Sequence, residues 1–174
     1  MPIHVVEEWV FPGGFHYQYN TLMHSDRLDR YPMCRLSDMI TNLGVTALFM
    51  GMTVVFAVLK SVPAGVVVAA LIFSLFEVIS HSLAGYKMYK QFQSKGKTTI
   101  YGPGSVTAYW GFGVLAVLSV QCLLTMDVTW LSWVIGVAML AGGVILFIVI
   151  PENAIKSMES PYYFESAGYY ERFL

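Results

Sequence analysis

The sequence predicts an all-α fold: an integral membrane helical bundle of four transmembrane helices, led by a short N-terminal amphipathic or re-entrant helix. Three observations predict it. Of the 174 residues, 56% are hydrophobic and only 12% are charged, against about 25% charged in an ordinary soluble domain. The mean hydropathy is +0.60. Four separate apolar stretches each supply the roughly 20 residues needed to cross about 30 Å of hydrocarbon. The length suits one membrane domain, residues 1–174.

The first element, residues 1–37, reads as an N-terminal helix and interfacial segment. His4, Glu7 and Glu8 are three and four apart, so on a helix they share a side. Val5, Val6, Trp9 and Val10 give that helix an apolar surface, and Phe11-Pro12-Gly13-Gly14-Phe15 ends it. No basic region precedes an apolar core, so the segment does not read as a cleavable signal. The spans follow at 39–59, 62–84, 105–126 and 128–150. Lys60 to Pro63 and Thr125 to Thr129 are short connections, so each pair of spans reads as an antiparallel hairpin. Gly102-Pro103-Gly104 is a tight turn, with Ser105 the expected N-cap of the third span. The free backbone N–H groups of such a helix start can hold an anion. Pro151 is expected to stop the last span. Residues 151–174 form an interfacial tail rich in tyrosine, which favours the membrane–water boundary. A barrel is excluded, because Val66 to Phe73 does not alternate apolar with polar residues.

Orientation follows from Lys and Arg in the loops. Arg27, Arg30, Arg35, Lys87, Lys90, Lys95, Lys97, Lys156 and Arg172 fall on one side of a four-span chain, and Lys60 stands alone on the other. The expected location is therefore a bacterial inner membrane with both termini cytoplasmic. Lys87 to Lys97 could also attract anionic lipid headgroups. Cys34 and Cys122 lie in different settings, and no disulfide between them is expected.

The chemistry concentrates in two places. Glu77 and His81 sit inside the second span, four residues apart on one face. Ionisable groups at that depth are costly, and functional by default. The alternative is a buried hydrogen bond that cements helices. His4, Glu7 and Glu8 form the other set. Imidazoles and carboxylates on adjacent helical turns are the ligand types of carboxylate-rich metal sites in bundles, and they suit zinc or iron. His4, Glu7, Glu8, Glu77 and His81 are thus the candidate ligands for one or two divalent transition metal ions. Glu8 and Glu77 are the catalytic candidates, because a carboxylate not spent on metal can act as general base. His16 and His24 are further candidates in a setting that fits an interfacial loop equally well.

Three motifs in order resemble the HXXEE family of small membrane proteins: His4 with Glu7 and Glu8, then Glu77 with His81, then Tyr101 with Pro103 and Gly104. The resemblance covers about Pro2 to Leu118 and leaves out the tail. It implies a membrane fold and a Glu/His-rich site, with no reaction attached. The family would have more apolar chain before the first motif than the three residues here, so either the N-terminal helix is short and lies at the interface or the chain starts later than its relatives.

The leading expectation is a metal-dependent membrane enzyme, a hydrolase or oxidoreductase, acting on a lipid or hydrophobic small molecule at the cytoplasmic leaflet. The metal would activate water, or oxygen if it is iron. Two alternatives stand beside it. One is a proton-coupled carrier using Glu77 and His81 as a relay. The other is a non-catalytic assembly subunit. Expected partners are membrane lipid and a hydrophobic substrate, with a homo-oligomer open and no nucleic acid.

Overall fold

The computed structural model describes all 174 residues, and it is helical without any strand. Two short helices, α1 (Pro2–Trp9) and α2 (Phe15–Leu22), precede four long ones. These are α3 (Arg35–Leu59), α4 (Ala64–Phe92), α5 (Ser105–Leu123) and α6 (Trp130–Ile155). All four are long and apolar enough to cross a membrane. The chain is therefore an all-α bundle with four candidate membrane spans.

Local chemistry sets the helix ends. Lys60 takes the left-handed conformation that closes α3, and Pro63 precedes the first residue of α4. Thr129 and Ser132 form a reciprocal cap at the start of α6: each side-chain oxygen accepts the other's backbone N–H. Helix α4 runs well past residue 84, to Phe92, so its last two turns stand clear of the apolar run and serve as a docking post. It is also the central helix, packing along both α5 and α6 and touching α2.

Pro151 does not stop the last span. Helix α6 continues through it to Ile155. A proline inside a helix removes one N–H and crowds the carbonyl four residues earlier. Here a π turn at Ile145–Val149 widens the helix just before the proline. The carbonyl four residues back belongs to Phe147, and it accepts the Thr41 hydroxyl from α3 at 2.6 Å. The defect in one helix thus becomes the tie to another. It lies where α3 packs against the end of α6.

Helices α1 and α2, the α4–α5 loop and the tail pack together at one end of the bundle. Tyr169 N–H donates to Gly13 O at 3.1 Å, and Phe164 N–H to Asp29 O at 2.8 Å. Tyr17, Met88, Phe92, Tyr170 and Phe173 form a shared core there. Residues 15–22 read as an interfacial loop in sequence because His16, Gln18, Asn20 and Thr21 break any apolar stripe. They are helical because these polar side chains are covered: His16, Gln18 and Asn20 are all buried. Lys97 also departs from expectation. It is buried, donates to Tyr101 O at 2.5 Å, and lies 4.5 Å from the centre of the Tyr169 ring. It is therefore not free to meet lipid headgroups.

Candidate metal centre

His4 and Glu8 lie one turn apart on α1, and Glu77 and His81 one turn apart on α4. Each pair shares a helix face, and the two faces meet. His4 Nε2 lies 3.3 Å from Glu8 Oε1 and 3.6 Å from Glu77 Oε2. His81 Nε2 lies 3.3 Å and 3.5 Å from the same two oxygens. Two imidazole nitrogens therefore alternate with two carboxylate oxygens around a closed ring of contacts. His4, Glu8 and His81 are buried, and Glu77 is partly so.

Within this ring His4, Glu77 and His81 form a three-residue ligand set, with donor atoms all within 4.8 Å of one another. Metal–nitrogen and metal–oxygen bonds of about 2.0–2.2 Å put ligand atoms roughly 3–4 Å apart around one ion. A buried group of this kind could hold a metal ion. Two imidazoles and one carboxylate are the donor set of open catalytic zinc sites and of non-haem iron sites. The field favours a cation as well. Burial works against protonating His4, but hydrogen bonds to Glu77 and Glu8 prevail and lift its imidazole to about 9. Burial likewise opposes a charge on Glu8, yet the two histidines hold its carboxyl below the usual carboxylate range.

Glu7 is not drawn into that group. Its carboxylate faces the start of α5, where it accepts Val106 N–H at 3.1 Å, Thr107 N–H at 2.8 Å, the Thr107 hydroxyl at 2.5 Å and the Tyr101 hydroxyl at 3.2 Å. The anion held at this helix start is thus a side chain of the chain itself. These donors outweigh burial and keep Glu7 below its ordinary value. Ser105 is not the N-cap. Gly104 occupies that position, and the Ser105 hydroxyl accepts Gly102 N–H.

The same contact orients His4. Thr107 has a single hydroxyl proton, and Glu7, a charged acceptor at 2.5 Å, takes it. The Thr107 oxygen, 2.8 Å from His4 Nδ1, must then accept. His4 therefore donates from Nδ1 to Thr107 and turns Nε2 toward Glu8 and Glu77, where a metal ion would take the place of the Nε2 proton, the arrangement of a ligand histidine backed by a second partner. His81 has no such backing, as its Nδ1 is buried without a hydrogen-bond partner. The Gly-Pro-Gly turn reaches the centre too. Gly104 has φ +88, and a Cβ there would collide with the His81 ring and come 3.0 Å from Glu8 Oε1. Only glycine lets the turn approach this closely.

Several residues at the site escape a sequence reading. Asp38 is buried beside the cavity and accepts the Trp9 indole N–H and, at 2.8 Å, the Asn42 amide. A signal existed: Asp38 and Asn42 are four apart at the head of the first span, just across the boundary drawn at residue 39. Thr107 carried no signal, because its role depends on α1 docking against it. His16 lies apart from the centre, stacked on Phe164 at 3.6 Å, and His24 lies outside the ligand set.

The centre opens into a cavity of ≈ 480 Å³ lined by His4, Glu8, Asp38, Glu77 and His81 among others. A second cavity of ≈ 610 Å³, lined almost wholly by apolar side chains of α3, α4 and α6, adjoins it. Val45, Phe73, Val144 and Ile148 line both. No protein-family model, no curated protein and no solved structure matches the chain.

Proposed function

We propose that this chain is a metal-dependent membrane enzyme that acts on a lipid or hydrophobic small molecule at the cytoplasmic leaflet. The observation that carries the reading is the convergence of His4, Glu77 and His81 on one buried point between two helices distant in sequence. In this reading the three hold one zinc or iron ion. Such an ion supplies a metal-activated water, or oxygen chemistry in the case of iron. Glu8 faces the same point from the other side of both imidazoles. It is the carboxylate left to take and return a proton. Glu7 acts at one remove, through Thr107 on His4.

The orientation is part of the proposal. Nine of the ten Lys and Arg residues fall on the side of the termini and the α4–α5 loop, which supports a cytoplasmic face for the centre. Membership of the HXXEE family is also part of it. What supports that is the meeting of the three motif segments, His4–Glu8, Glu77–His81 and Tyr101–Thr107, around one site.

Elemental analysis of protein purified without chelator tests the reading. About one equivalent of zinc or iron is expected, falling to background in His81→Ala. Less than roughly a tenth of an equivalent of any transition metal in the unaltered protein would overturn it.

A further inference from the structure

The two adjoining cavities differ in chemistry. The one at the centre is mixed: Glu8, Asp38, Glu77, Glu152, Lys87 and the two histidines share it with apolar side chains such as Phe15, Leu22 and Phe76. The other is apolar and runs into the span region, with Val66, Ala69, Ala70 and Phe73 of α4 on one wall and Phe49 and Met52 of α3 opposite. A chamber that carries charged groups and opens into an almost wholly apolar one is complementary to an amphiphile.

Length and charge narrow the class. Eleven residues of α4 separate Glu77 from Val66, roughly 16 Å at 1.5 Å per residue. That is about the depth of one leaflet, half of roughly 30 Å of hydrocarbon. The chamber volume of ≈ 610 Å³ lies within the usual range of small-ligand pockets, about 300–1,000 Å³. One chain of membrane-lipid length fits those dimensions. Glu8, Asp38, Glu77 and Glu152 line the chamber at the centre; a hydroxyl or amide head can donate a hydrogen bond to such a carboxyl group, whereas a carboxylate head has no proton to donate.

We infer that the apolar cavity between α3, α4 and α6 is the chain-binding site for a single-chain amphiphile with an uncharged polar head, which it presents to His4, Glu77 and His81. Presentation of the head to a metal ion rests on the proposed function, whereas binding of the chain in the apolar cavity does not.

The test is saturable binding of tritiated hexadecan-1-ol to the full-length purified protein in detergent, with empty micelles as background. Octan-1-ol and hexadecanoate are expected to compete about tenfold or more weakly than unlabelled hexadecan-1-ol. Ala70→Phe, which fills the apolar chamber, should weaken binding about tenfold or more while leaving metal content unchanged. Ala69→Leu is the smaller second variant should the first fail to fold. Protein stripped of metal with a chelator should keep hexadecan-1-ol binding within about threefold. Equal competition by octan-1-ol, tighter binding of hexadecanoate, or wild-type binding by both filled variants would each overturn the inference. Metal without saturable binding removes the chain site and leaves the metal centre. Saturable binding without metal does the reverse.

Discussion

At the residue scale, the motif residues divide their labour. His4 and Glu8 face the centre, while Glu7, their neighbour, works through Thr107. Partners that orient a ligand histidine typically account for 10–100-fold in metal affinity. Thr107→Val and Glu7→Gln are therefore expected to weaken zinc binding by about that factor with helicity unchanged, and Thr107→Ser to restore it. Competition titration against a chelating dye reads this, and unchanged affinity in Thr107→Val would refute the role. His16 makes a different prediction. Burial pushes its imidazole down from 6.5 to about 4. Above pH 6.5 it is neutral in both folded and unfolded chains, and its contribution to stability is complete. As pH falls from 6.5 toward 4 the unfolded chain takes the proton and the folded one resists. Stability should then decline by on the order of 3 kcal/mol. Thermal melts of His16→Phe are expected to lack that slope between pH 6.5 and 4.5.

At the element scale, the spans were legible because each is a long apolar run, and lipid leaves a helix as the only open-ended way to satisfy its backbone. The α1 helix was legible from its spacing. Helix α2 was not, because His16 and Gln18 meet their partners only once the tail has folded over them, and Asn20 meets its own on the turn at Leu28 and Met33. Nor was the passage of α6 through Pro151, since the remedy lies on another helix, at Thr41. That remedy is testable. Thr41→Val takes from the Phe147 carbonyl its donor on α3 and should cost about 1 kcal/mol, read as a lower unfolding midpoint in detergent. Pro151→Ala returns the missing N–H. In the double variant most of the loss should be recovered, whereas additive losses would contradict the pairing. Glu77 and His81 were legible as a pair, while their meeting with His4 required knowing that α1 folds back onto α4.

At the scale of the whole molecule, the bundle divides into a lipid-facing body and a polar cap. Helices α3 and α6 are little buried within the chain, and α4 is the most buried of the four. That suits α4 to carry the ionisable groups away from lipid. The cap is fastened by Lys97, whose ammonium lies among Tyr169, Tyr170 and Phe173 with Tyr101 O as acceptor. Cation–π contacts shielded from water contribute about 2 kcal/mol. Lys97→Met is expected to loosen the tail, so that limited trypsin cleavage at Arg172 and Lys156 accelerates while the spans stay protected. Equal cleavage rates would deny the clamp. The junction of Gly13 and Gly14 with Ala167 and Tyr169 carries one further consequence. The helix that carries His4 and Glu8 is held in place by residues that leave the ribosome some 150 positions later. Early in synthesis α1 has neither α4 to meet nor a tail to pin it. The centre is thus a post-translational assembly, and a chain stalled before the tail emerges should take up no metal, however completely its spans have been inserted.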